Sequence, residues 1–125
     1  MLPQSLICLL FILWQPVAAE WFFVSETEYD YLLIDTTTLS IDGDFRTIWG
    51  RSELKNRHSD QQIKSSRYLK EFNCTKRLER VLTLTMFTEN NGQGDAVGSK
   101  HLGSWYQVFR NTAAGDVLEF VCLMQ

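Results

Sequence analysis

Apolar residues along this chain gather in short runs bounded by turn residues, a pattern that predicts strands more often than helices. Trp21-Phe22-Phe23-Val24 and Tyr31-Leu32-Leu33-Ile34 are two such runs, rich in aromatic and β-branched residues. Thr36-Thr37-Thr38 favours extended backbone. Asp42-Gly43 lies between Ile41 and Phe45, a hairpin signal, with Arg46 to Arg51 as the return strand. Ser52 to Ser66 is polar and without apolar period, which predicts a long hairpin connection or the frayed ends of two strands. In the next strand Tyr68, Lys70, Phe72 and Cys74 share one face, with Leu69, Glu71 and Asn73 on the other. Arg77 to Thr88 is the clearest strand. Its alternation places Leu78, Leu82, Leu84 and Met86 together, opposite Thr83 and Thr85. Glu89 to Ser104 holds Gly92, Gly94, Gly98 and Gly103 with little apolar material, and predicts a flexible connection. Trp105 to Arg110 predicts another strand.

Thr112 can then cap a short helix over 113–123, with Val117, Phe120, Val121 and Cys122 available to cover a sheet face. Val117 to Cys122 also reads as a strand. There are no internal repeats. Six strands and one terminal helix predict an α+β domain: a six-stranded antiparallel β-sheet whose apolar face is covered by a C-terminal α-helix.

The N-terminus sets the compartment. Met1 to Ala19 has no charged side chain. The apolar run Leu6 to Trp14 is shorter than the roughly 20 residues a membrane-spanning helix requires. Val17-Ala18-Ala19 follows, with small residues where a signal peptidase cuts. The chain thus divides into a signal peptide, residues 1–19, and a mature domain, residues 20–125, exported to the periplasm or secreted. The alternative is an uncleaved anchor extended by Trp21 to Val24. After cleavage only Cys74 and Cys122 remain, an even pair in an oxidising compartment, and a disulfide is the expected state. It would tether the helix to a central strand and close a loop of 49 residues counting both cysteines. Loop-entropy arguments value such a closure at about 4 kcal/mol.

Composition excludes disorder and low-complexity architectures: of 125 residues, 45% are apolar and 22% charged. The net charge of -3 is unevenly placed. Glu20 to Asp44 carries seven acidic residues and no basic one. Arg46 to Arg80 carries ten basic and four acidic residues. Pairing of these two segments across a sheet is the simple expectation.

A resemblance rests on Tyr31-Leu32-Leu33-Ile34-Asp35 followed by Leu39-Ser40-Ile41, then Ile48-Trp49, then Tyr68 to Cys74 with Arg80 beyond. Met86-Phe87 before Asn91-Gly92-Gln93-Gly94, Trp105-Tyr106-Gln107-Val108 and the terminal Val121-Cys122 extend it over nearly the whole mature chain. In these residues the sequence resembles the surface-adhesin protein E family of Gram-negative bacteria. The resemblance implies an antiparallel sheet with a C-terminal helix held by a Cys74–Cys122 bridge, and an exported, envelope-associated protein. It further implies a non-catalytic interaction module that captures host matrix or envelope proteins and can pair as a homodimer. The chain departs from surface-displayed members in one respect: no lipid-attachment cysteine follows its apolar run. No short binding motif transfers from the family.

Catalytic chemistry finds little material. His58 and His101 form an acid–base pair only if the fold unites them, and both lie in polar segments. A pocket joining either to Trp49, Tyr68 or Arg80 would mark an enzyme, and a rigid protruding 89–104 loop would mark an enzyme inhibitor. The Gly92 to Lys100 stretch lacks the spacing of a phosphate loop. Asp42 and Asp44 are too few for a calcium site and suit a turn. No cofactor or metal is expected. The basic segment, with Trp49 and Tyr68 in it, has the clearest physical case for binding. Trp49, Arg51, Arg67, Tyr68, Lys70 and Arg80 form the candidate ligand face, for a protein or, alternatively, a polyanion such as a sulfated glycan. Nucleic acid is not an expected partner.

Overall fold

The computed structural model describes residues 18–55 and 62–125. Most of the expected signal segment and His58 lie outside them. Eight strands form one antiparallel sheet: β1 (Trp21–Glu26), β2 (Asp30–Asp35), β3 (Ser40–Asp42), β4 (Phe45–Leu54), β5 (Ser65–Asn73), β6 (Leu78–Phe87), β7 (Ala96–His101) and β8 (Tyr106–Gln107). Six make the main path, in the order β1-β2-β4-β5-β6-β7, while β3 pairs with β4 and β8 with β6. The long β4 is shared on one edge: its residues 50–54 pair with β2 and 45–47 with β3. Among the described residues one α-helix, α1 (Ala113–Leu123), follows the sheet. This is the expected α+β architecture.

Local chemistry explains the boundaries. Gly43 takes a positive φ of 58° in the turn between β3 and β4, which makes Asp42-Gly43 a working hairpin signal. Thr36–Thr38 forms a 3-10 turn instead of extended backbone, because Asp35 Oδ1 accepts from the Thr37 amide at 3.0 Å and caps it. Thr112 caps α1 through its hydroxyl oxygen, which accepts from the Gly115 amide at 2.9 Å.

Register divides the sheet into two faces. Ile34, Gly50 and Tyr68 lie opposite one another across β2, β4 and β5, with Phe72 on the same face of β5. With Ile48 they point toward α1, and Ile34, Ile48 and Phe72 pack with Val117, Leu118 and Val121 into the core. Phe22 stacks on Phe120 with ring centroids 5.1 Å apart, so the first strand meets the last helix. The Cys74–Cys122 disulfide, with its Cα atoms 5.8 Å apart, ties the residue after β5 to the last turn of α1.

Other expectations change too. Residues 96–101, read as flexible connection, form β7, which pairs with β6 from Thr83 to Phe87. The strand expected over 105–110 shrinks to the two residues of β8. Leu78 does not join Leu84 and Met86: it lies opposite Asn73, on the face away from the helix, because the register slips near Leu82 and inverts the alternation. Finally, the basic segment joins the acidic one across the sheet, through β4 on β2 and β3, but its ion pairs lie mostly elsewhere. Lys55–Glu26 links the two segments, whereas Arg51–Glu53, Lys70–Glu79 and Arg80–Glu71 form within β4 to β6.

Candidate functional site

The face away from α1 is the open one, and the expected ligand residues divide between it and the covered face. Trp49, Arg51 and Arg67 fall on the open face, since Trp49 faces Leu69 and Arg51 faces Arg67. Arg80 joins them opposite Glu71. Tyr68 and Lys70 fall on the other face. Tyr68 is 7% exposed and lies over Gly50, where any Cβ would collide with its ring. Lys70 lies 4.7 Å from the Tyr68 ring and pairs with Glu79 at 3.5 Å. The six residues therefore do not make one surface. Strict strand alternation puts neighbours 67 and 68 on opposite sides.

Burial pushes the Tyr68 phenol well above its ordinary range, and the negative charges of Glu79 and Asp30 add to the effect. This is a neutral core tyrosine.

What the open face does assemble is a ladder of cations on tryptophans. Arg51 stacks on Trp21 at 4.5 Å, Arg67 on Trp49 at 4.7 Å and Arg80 on Trp105 at 4.6 Å. Stacking of this kind fixes a guanidinium and leaves its edge free for hydrogen bonds. Phe45 adds a tilted ring contact to Trp105 at 6.2 Å, and Phe23 an edge contact to Tyr31 at 6.1 Å. Phe23, Tyr31, Phe45 and Trp105 are all exposed, Phe23 by 51%. Aromatic side chains exposed together beside arginines are the composition of protein interfaces. Trp21, Phe23, Tyr31 and Trp105 were missing from the expected face. Trp21 stands 30 positions from Arg51, Trp105 stands 25 from Arg80 and Phe23 stands 8 from Tyr31, so only strand register brings these contacts together.

The end of this face is held by the glycine-rich connection. Glu53, 8% exposed, accepts from the Asn91 amide at 2.6 Å and from Asn90 Nδ2 at 3.1 Å. Ser65 Oγ donates to the Glu89 carbonyl at 2.6 Å and accepts from the Gly92 amide at 2.9 Å. Positive φ at Asn91, Gly92 and Gly94 lets the chain make this turn. The segment is thus anchored to β4 and β5.

No catalytic assembly emerges around the histidine in view. His101 is exposed at the end of β7, opposite Thr83. A shallow cleft beyond the helix is lined by Leu54, Leu84 and Met86 with Ser52 and Ser66, and a second by Tyr31, Glu53 and Asn90. His101 borders neither. Asp42 and Asp44 flank the hairpin turn at Gly43. No helix among the described residues is long and apolar enough to cross a membrane.

Comparison with solved structures gives the fold a precedent. Crystal form II of Haemophilus influenzae protein E superposes with a TM-score of 0.65 at 15% identity, covering 86% of this chain and 90% of that one. Another structure of the same protein gives 0.61 at 15% identity, covering 86% of each chain. At that identity the likeness establishes a shared fold. No curated protein sequence matches. The family profile described as surface-adhesin protein E matches residues 21–123, nearly all of the described domain, and the chain belongs to that family.

Proposed function

We propose that this protein is an exported, non-catalytic binding module that engages a host or envelope protein through the open face of its sheet. The observation that carries this reading is the exposure of Phe23, Tyr31, Phe45 and Trp105 on the same face as three arginines stacked on tryptophan. A buried surface of aromatics and arginine supplies most of the energy in protein–protein contacts. The family membership supports a surface-adhesin-like module in general terms. Haemophilus influenzae protein E has the same fold.

The test is capture of immobilised matrix proteins and envelope extracts by the purified protein. Saturable binding is expected, weakened by about tenfold or more in a Phe23→Ala/Tyr31→Ala double variant. Leu123→Ala, an exposed change on the helix, is the control and leaves binding intact. Full binding by the double variant would move the site off this face.

The polyanion alternative is less well supported. Arg51, Lys55, Lys64, Lys70, Arg77 and Arg80 each have a carboxylate partner, so the basic segment is largely neutralised within the molecule.

A further inference from the structure

Three guanidiniums define the open face, and two of them are already engaged. Arg51 Nε lies 2.9 Å from Glu53 Oε1, and Arg80 Nε donates to Glu71 Oε1 at 2.7 Å. Arg67 differs. It is exposed, is held against Trp49, and has no acidic partner among the described residues. Its direct neighbours across the sheet are Arg51 on β4 and Thr85 on β6. Like charges directly opposite on one face are unfavourable, and among the described residues stacking on Trp49 is what offsets this for Arg67. A guanidinium fixed by stacking with no carboxylate among the described residues to receive its hydrogen bonds points to a ligand that supplies one.

We infer that Arg67 receives a carboxylate from an extended acidic segment of the partner protein. This rests on the open face being the binding surface, and it adds the chemistry of what is bound. Charge complementarity selects the ligand. Among the described residues Arg67 is the stacked guanidinium of this face without a carboxylate, and its fork fits a single carboxylate in two parallel hydrogen bonds. A sulfated or phosphorylated polymer gains affinity from many cationic contacts at once, and Arg51 and Arg80 are withdrawn from that role by Glu53 and Glu71.

Register also sets a spacing. Phe23, Leu33, Arg51 and Arg67 stand opposite one another in a single row across β1, β2, β4 and β5. Phe23 and Arg67 are therefore separated by three inter-strand steps of about 4.8 Å, or about 14 Å. An extended peptide advances about 3.4 Å per residue, so positions four apart match that distance and point the same way. The recognised segment carries Asp or Glu four residues from an apolar or aromatic side chain.

Random peptides displayed on phage, selected on the purified protein, test this directly, with the winning sequences remade as labelled peptides. The expected winners pair an acidic residue with an apolar one four positions away. Their affinity falls about tenfold or more with Arg67→Gln, and Arg67→Glu favours Lys or Arg at the same peptide position. Because Arg67 is exposed, an unchanged melting temperature shows that the variants remain folded. Binding that is lost in Phe23→Ala/Tyr31→Ala but indifferent to Arg67→Gln and Arg67→Glu overturns the inference and leaves the open face as the site. Binding indifferent to all of these variants removes both. Heparin retention abolished by Arg67→Gln assigns the cation to a polyanion instead. Self-association abolished by Arg67→Gln assigns it to a second copy of this chain. Either result overturns the peptide assignment.

Discussion

Tyr68 illustrates how single residues here divide between packing and recognition. Its ring lies over Gly50, and a side chain at position 50 would occupy the same space, so the pair is a matched large–small contact inside the sheet. Sequence places Tyr68 with the cations on either side of it and suggests a ligand contact. The core claims it, because it shares a face with Phe72 and not with Arg67. Its phenol is held neutral, first by burial and then by the negative charges of Glu79 and Asp30. The folded pKa lies above the unfolded value of about 10, so the neutral form is the one folding favours. That contribution is complete below pH of about 10 and is lost as pH rises above it. At a pH of about 11–12 the folded protein should therefore lack the Tyr68 phenolate absorbance that the unfolded protein shows. The deficit should vanish in Tyr68→Phe, and a full folded titration would contradict the burial of this ring.

At the scale of elements, legibility follows how strongly each strand's side chains are divided between two faces. The hairpin at Gly43 and the helix after Thr112 announce themselves through turn and cap chemistry. β7 does not: Ala96-Val97-Gly98-Ser99-Lys100-His101 is polar and exposed, and it is a strand because its backbone completes the edge of β6. The slip near Leu82 is equally invisible, since a strand with apolar residues at 78, 81, 82, 84 and 86 fits more than one register. The stacking of arginine on tryptophan needs both the strand order and that register, and so lies beyond a linear reading. The helix is the element whose attachment was most legible. α1 buries Val117, Leu118 and Val121 against the sheet, and the Cys74–Cys122 bond fixes its far end. Closing a loop of that length restricts the unfolded chain by about 4 kcal/mol, against a total stability of about 5–15 kcal/mol for a domain of this size. A Cys74→Ser/Cys122→Ser variant should lose about 2–4 kcal/mol in urea unfolding. Reductant should lower the wild-type midpoint and leave the variant unmoved. Equal midpoints with and without reductant would show that the apolar face of α1 holds the helix without help.

For the whole molecule, the two ends of the domain are fastened to the same structure, which bears on what processing would do. Among the described residues Glu20 is already tied to β2 and the turn after it: its carbonyl accepts from the Thr36 amide at 3.1 Å and its nitrogen donates to Asp35 Oδ1 at 3.2 Å. One residue later β1 starts, and through Phe22 and Ser25 it reaches Phe120 and Asp116 of α1. Asp35 is 3% exposed, and the same oxygen also accepts from the Thr37 amide and hydroxyl. A signal cut after Ala19 would replace the neutral amide of Glu20 with an ammonium group at that position. The contact with Asp35 would then become charge-assisted, which strengthens such a bond by about 1 kcal/mol. The processed protein is expected to melt a few degrees above a form that retains the preceding residues or carries an acetylated Glu20. Asp35→Asn should erase that difference while leaving the other amide and hydroxyl contacts in place. N-terminal sequencing of exported material should read Glu20 first, and identical melting of the free and acetylated forms would show that the new charge is solvated instead of paired.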